Sequence, residues 1–494
     1  MTLRQRLLIA AFAGAGAALG QAPYDLPPLM LAGLLVAVWL FRDCTGKGQA
    51  ALVGWAFGTG YFMHALHWIV SPFMVDAARQ GWMAPFALVF LAAGLALFWG
   101  AAFWSARQLG GARTWPLILT WATAELLRAY VFTGFPWAMP AQALVGVQAG
   151  QVMGLLGPYA VNLWLFAAAV GVVGAVRRGG LWRVGGGALG LAMTALMMLP
   201  PAGVPSALTE HTIRLIQPNA AQRDKWDPEK IPVFFDRQLQ FTAAPPMQQG
   251  ATPDLVIWSE TAIPWSLHLA GTALAEIAAA AGETPVTIGV QRQTETRYFN
   301  SMVVLATDGA VTQAYDKHHL VPFGEYVPLG DLLAGIGIYG LAARDGHGYS
   351  SGPGAKLLDF GPLGKALPLI CYEAVFAHDV NAAPERPAFL IQITNDAWFG
   401  KGAGPKQHLA QARMRAIEQG LPLARAANTG ISAMIDPRGR VTAALPLNIA
   451  GYLDAALPRA LPATFYSRTG DLPLACVLLL GLFAVALRSK RVRD

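Results

Sequence analysis

The chain has 494 residues, 54% of them hydrophobic and only 13% charged, and its mean hydropathy is +0.41. That balance excludes an ordinary soluble globular protein and points to one built into a membrane. The net charge of +7 is no nucleic-acid footprint, because the Lys and Arg residues collect at the ends of apolar stretches, where they read as a topology signal.

Seven stretches long enough, or nearly long enough, to cross a bilayer run over residues 7–22, 28–41, 50–70, 83–106, 115–132, 159–176 and 185–202. An eighth, LPLACVLLLGLFAVAL at 472–487, precedes a basic tail. The expected architecture is therefore an α-helical bundle of about eight spans with an α/β domain of about 265 residues set between the last two. The boundaries divide the chain into a membrane domain at 1–205, a globular domain at 206–465 and a final span with its tail at 466–494.

Orientation follows from the short flanks. Arg4, Arg6, Arg42, Lys47, Arg107, Arg113, Arg177, Arg178, Arg183, Arg488, Lys490, Arg491 and Arg493 share one side, and the opposite short loops carry only Arg79. Positive residues stay in the cytoplasm, so the amino terminus is inside and the globular domain outside, in the periplasm of a bacterium. The first stretch also has the shape of a signal peptide, whose removal would leave the domain on the same side.

Within the bundle, His64 and His67 stand three apart on an apolar span, as a metal pair could, but without a carboxylate or cysteine they read as packed side chains. Glu125 and Arg128, at i and i+3 of the fifth span, can pair on one helix face.

In the globular region, apolar runs at 212–219, 254–260, 284–291, 301–308, 366–373 and 388–396 predict strands, and Ala273–Ala281 and His408–Gln419 predict helices. Strands apolar throughout and separated by helices indicate a sheet covered on its faces. The apolar segment 332–343, within a Gly-rich tract at 329–354, is too short for a span and reads as a lid that dips into the membrane. WFGKGAGP at 398–405 is a second candidate for mobility.

Glu260, Lys317 and Cys371 stand at or just past strand ends, where a rigid sheet holds side chains into a crevice. A thiol needs a base to become a strong nucleophile, which Glu260 can supply. Lys317 can stabilise the oxyanion formed when an acyl carbonyl is attacked. Each has a plain alternative: a buried structural thiol, a capping carboxylate, a solvated charge. Cys44 and Cys476 fall on the cytoplasmic side and within the membrane, so neither offers Cys371 a disulfide partner. A Cys-His pair built on His318 or His319 would leave Glu260 and Lys317 without a task.

The local contexts of the three, WSE at 258–260, YDKHHLVPFGEYVP at 315–328 and ICYE at 370–373, together with YFNS at 298–301, TNDAWFG at 394–400, ARMRAIE at 412–418 and ARAANTGISAMIDPRG at 424–439, resemble the nitrilase superfamily. That resemblance implies an α-β-β-α sandwich with a Glu, Lys, Cys triad. With the membrane frame and GFPW at 134–137, the chain resembles the apolipoprotein N-acyltransferase family. The likeness implies that Cys371 takes an acyl chain from a phospholipid as a thioester and yields it to the α-amino group of a lipoprotein's amino-terminal S-diacylglyceryl-cysteine. Glu260 would be the general base and Lys317 the oxyanion stabiliser. It further implies that Glu325 and Glu373 help to position the lysine and balance charge, with a structural ion pair the equal reading of Glu373, and that Tyr372 and Trp226 lie near the acyl pocket. Its partners would be the phospholipid donor, the lipoprotein acceptor and membrane lipids. No nucleic acid, cofactor or metal is expected, and the enzyme would be a monomer in the bacterial inner membrane.

Two other functions compete. A membrane-tethered amidase of the same fold would hydrolyse small C–N substrates, but an enzyme for soluble substrates needs at most one anchor. A transporter would carry ionisable residues along several spans, and Glu125 and Arg128 are nearly alone.

Overall fold

The computed structural model describes residues 1–204, 206–247, 252–295, 297–328 and 348–491. The proposed lid at 332–343 lies outside the described residues.

Each of the eight apolar stretches forms a helix: α1 (Leu3–Ala17), α2 (Pro27–Arg42), α3 (Lys47–Ala65), α4 (Ala84–Gly110), α5 (Pro116–Tyr130), α6 (Pro158–Arg178), α7 (Gly180–Leu196) and, after the globular domain, a last helix (Leu472–Arg491). Three segments have the length and apolar content of a membrane span: Ala77–Gly110, Pro158–Arg178 and Leu472–Ser489. The other five helices have 15 to 19 residues, so of the eight expected spans three meet that measure. Small residues let α1 and α3 touch along their backbones. A Cβ at Gly60 would lie 2.0 Å from the Ala11 carbonyl oxygen, and one at Gly14 2.0 Å from that of Phe57.

The globular region is a four-layer sandwich. One sheet has the order β12-β1-β2-β3-β4-β5 and the other β11-β10-β9-β8-β7-β6. The strands are β1 (Leu208–Gln217), β2 (Leu255–Ile257), β3 (Val286–Gln293), β4 (Tyr298–Leu305), β5 (Val311–Asp316), β6 (Leu358–Asp359), β7 (Lys365–Ile370), β8 (Phe389–Thr394), β9 (Leu423–Ala427), β10 (Ser432–Ile435), β11 (Val441–Leu445) and β12 (Gly451–Pro458). The inner three of each sheet, β1-β2-β3 and β7-β8-β9, run parallel, and the flanking strands run antiparallel.

Alternation divides the side chains. Ile213, Leu215, Leu255, Ile257 and Met302 meet Phe389, Ile391 and Ile393 between the sheets. Val256, Ile288 and Val303 turn outward beneath α8 (Ile231–Ala243) and α9 (Gly271–Ala281). Leu367, Leu369 and Leu390 turn outward beneath α10 (Ala403–Gln419). Of the Gly-rich segment 398–405, residues 398–400 are half-buried, Lys401 and Gly402 are exposed, and the rest is held. Ala403, Gly404 and Pro405 are the buried first turn of α10, and a Cβ at Gly404 would lie 2.6 Å from Phe399 and 3.1 Å from Trp68.

The opposite face of α10 packs on the bundle, where Ala410, Met414 and Ile417 join its core. Gln407 pins the junction. Its amide oxygen accepts from the indole N–H groups of Trp68 (3.1 Å) and Trp137 (2.8 Å), and its amide nitrogen donates to the Ala22 and Ala65 carbonyls, both at 3.0 Å.

Candidate active site

Three strand ends bring the reactive side chains together. Glu260 follows β2, Lys317 directly follows β5, and Cys371 directly follows β7. All three are buried. Both Glu260 oxygens are held: Oε1 accepts from the Asn300 side-chain amide and Oε2 from the Asn395 backbone N–H, each at 2.7 Å. Gly289 on the adjacent strand makes this approach possible, because a Cβ there would lie 2.6 Å from the Glu260 Cα.

The Lys317 ammonium donates to Glu325 Oε1 at 2.9 Å, lies 2.8 Å from Glu325 Oε2 and stands 3.8 Å from Glu260 Oε1. Asn300 also donates to Glu325 Oε1 at 3.1 Å, so one amide spans both carboxylates. Burial opposes the lysine's charge, but Glu325 and Glu260 outweigh it and hold its pKa above the ordinary lysine range. Burial first, and then the Glu260 carboxylate, push the Cys371 thiol well up, while Lys317 pulls it back. Burial thus outweighs the pull of the lysine, so the resting cysteine is a thiol and not a thiolate.

Cys371 has a φ of +52°, a left-handed conformation that costs a side-chain-bearing residue about 1 kcal/mol or more. Glu373 braces that turn. Its Oε2 accepts from the Ile370 N–H (2.7 Å), and its Oε1 accepts from the Tyr315 hydroxyl (2.7 Å) and the His318 N–H (2.8 Å). Glu373 therefore ties the cysteine turn to the backbone beside Lys317, while Glu325 is the carboxylate on the ammonium. The structural reading of Glu373 is the one its contacts fit.

The remaining sequence-derived candidates fall around this centre. Tyr372 is buried and donates to the Gly134 carbonyl of the bundle at 3.3 Å. Trp226 lines a small cavity with Lys225 and Ser259. His318 is bound to Tyr315 and Glu373, and His319 to Asp379 and the Thr133 carbonyl, so both are engaged away from the thiol. His64 and His67 contact the carbonyls of Ala15 and His64. Glu125 and Arg128 are paired at 2.9 Å in the bundle core, where Trp99 donates to Glu125 and Arg128 donates to the Phe135 and Trp137 carbonyls.

Sequence reasoning did not assign Asn300, although its motif YFNS was in view. Nor did it find Lys225, whose ammonium donates to the Glu260 carbonyl at 3.2 Å and whose pKa burial brings down to about 8. The buried set of Gln392, Asp396, His408 and Arg425 behind Cys371 was also missed.

The sandwich and its site define the class. Residues 195–464 match the carbon-nitrogen hydrolase family, and the chain belongs to it. An amidase of known structure from Nesterenkonia sp. is 18% identical over 55% of this chain and 98% of its own, with a TM-score of 0.39. Residues 13–171 match the apolipoprotein N-acyltransferase N-terminal domain. The apolipoprotein N-acyltransferase of Rhodopseudomonas palustris is 37% identical over 98% of this chain and 96% of its own. That of Bradyrhizobium diazoefficiens is 38% identical over 98% and 95%. The chain is thus a member of the apolipoprotein N-acyltransferase family.

Proposed function

We infer that this protein is an apolipoprotein N-acyltransferase, with Cys371 as nucleophile, Glu260 as general base and Lys317 as oxyanion stabiliser. The observation that carries the reading is the pairing of a neutral buried thiol with a carboxylate and an ammonium locked in place beside it, within a chain alike to such enzymes along almost its whole length.

The first half-reaction starts from the thiol. As sulfur attacks an ester carbonyl of a phospholipid, its proton passes to Glu260 and the new oxyanion is met by the Lys317 ammonium. Collapse expels a lysophospholipid alkoxide, which takes the proton from Glu260 and leaves the acyl thioester. In the second half the α-amine of an S-diacylglyceryl-cysteine attacks the thioester. Glu260 takes the amine's proton, and the sulfur leaves and is reprotonated. Both carboxylate oxygens being tied, Glu260 is already aimed when substrate arrives, which is where such a base gains its rate.

The division at residues 1–205, 206–465 and 466–494, eight crossings, a place in the bacterial inner membrane and a periplasmic sandwich complete the reading, supported by the positive flanks. A periplasm-dependent reporter joined near residue 240 is expected to be active and one joined near Arg178 inactive, and the reverse pattern would overturn the topology.

Donor alone tests the chemistry. Purified protein given phospholipid and no acceptor should gain one acyl mass, removable by neutral hydroxylamine and absent from Cys371→Ala. A lipopeptide with a free α-amine should discharge it and an amino-blocked one should not. Rapid loss to water would favour the amidase instead.

A further inference from the structure

The Cys371 backbone carbonyl points into a buried polar network that the proposed steps do not use. It accepts from Gln392 Nε2 at 3.2 Å and lies 3.0 Å from His408 Nε2. The protons in this network can be assigned from its geometry. Arg425 donates to the Gln392 amide oxygen, which fixes the amide so that its nitrogen faces both Cys371 O and His408 Nε2, the latter at 3.1 Å. Asp396 Oδ1 lies 2.8 Å from His408 Nδ1, and Asp396 Oδ2 accepts from Arg425 at 2.6 Å. The carboxylate only accepts, so His408 carries its proton at Nδ1 and offers Nε2 to Gln392. Burial, with Arg425 beside it, holds His408 below the ordinary histidine range, in keeping with a neutral ring. Gln392, Asp396, His408 and Arg425 are all fully buried, and a fully connected network of this kind is stiff.

Two features give the network a task. Cys371 is the strained residue of the turn, so its carbonyl must be held if the sulfur is to keep its aim. His408 also follows Gln407, the residue that ties α10 to four groups of the bundle, and its ring packs on Trp137 with centroids 5.5 Å apart.

We propose that Gln392 and His408 are positioning residues: the Gln392 amide holds the Cys371 carbonyl and so aims its sulfur, and the His408 ring accepts from that amide and orients it, with its own placement set by the bundle through Gln407. The proposal deepens the acyl-transfer reading and rests on it for its rate effects, but thiol reactivity tests it separately.

The full-length wild type, His408→Leu, His408→Asn and Gln392→Met are compared by iodoacetamide alkylation of Cys371, by kcat and KM for phospholipid, and by thermal unfolding. His408→Leu should slow both alkylation and kcat about 100-fold, the scale of an ångström's misplacement, with KM changed less than about twofold. His408→Asn should recover about tenfold of that loss, because its amide can still donate to Asp396. Gln392→Met, which removes both donors without removing bulk, should resemble His408→Leu and serves where that variant does not fold. Wild-type alkylation in folded His408→Leu or Gln392→Met would overturn the proposal. So would equal losses in the Leu and Asn variants that follow the unfolded fraction. Altered alkylation in a protein that never transfers acyl groups, wild type included, would keep the positioning role and remove the transferase reading.

Discussion

Two of the buried acid and base clusters, one in the bundle and one in the sandwich, look alike in the sequence and differ in what they can do. In the bundle, Arg128 meets one carboxylate, Glu125, and spends its remaining donors on the Phe135 and Trp137 carbonyls. In the sandwich, Lys317 meets two carboxylates, Glu325 and Glu260, beside a thiol. The first is balanced and closed. The second sets a carboxylate, Glu260, and an ammonium beside a buried thiol, and that carboxylate can accept a proton. A buried ion pair alone is thus no mark of a site; what sets the second cluster apart is the buried thiol beside its carboxylate and ammonium.

The sharpest break between the clusters should come from removing their centres. Cys371→Ala should abolish acyl-enzyme formation. Glu260→Gln and Lys317→Met should insert normally and lose about 100-fold or more in turnover. Retention of more than about a tenth of the rate by either would cancel its role.

The bundle cluster should answer in stability. Arg128→Met leaves Glu125 buried and uncompensated, a loss of about 3 kcal/mol. Its melting temperature should fall steeply, with turnover per folded molecule changed far less than in Lys317→Met. The double variant Glu125→Leu with Arg128→Met should regain much of that loss, since neither charge is then stranded. A collapse in turnover at normal stability would erase the distinction.

Glu325→Gln should fall between the two, lowering turnover about tenfold by loosening Lys317 while Glu260 still holds the ammonium. Wild-type turnover would leave Glu260 as the lysine's sufficient partner.

The smallest effect concerns Lys225. Its folded pKa of about 8 lies below its ordinary 10.5, so between those values the unfolded chain binds more protons and stability rises with pH. Lys225→Met should flatten that rise in a thermal-unfolding series, and an unchanged slope would mean that Lys225 is not its source.

Much of this was legible beforehand because it is local. Apolar length located the eight helices, and strand-end positions picked out Glu260, Lys317 and Cys371, since period and breakers act within a few residues. Glu325 could be ranked above Glu373 only weakly, because both are lone acids near a motif. Their difference lies in which partner each reaches, one the ammonium and the other the backbone of Ile370 and His318. The burial of 403–405 was not legible because α10 is polar in sequence yet buried on both faces, between a sheet and the bundle.

By itself the sequence determined the apolar helices, the layered α/β domain and the three candidate side chains Glu260, Lys317 and Cys371, all written in short-range patterns of polarity and in motifs a few residues long. Only the tertiary structure decided how they are aimed: Asn300 bridging Glu260 and Glu325, the strained turn at Cys371, and Gln407 joining sandwich to bundle. The partners of Gln407 at Ala22 and Ala65 stand more than 300 residues away in the chain. No local pattern encodes such a meeting, because it depends on how independently formed elements dock.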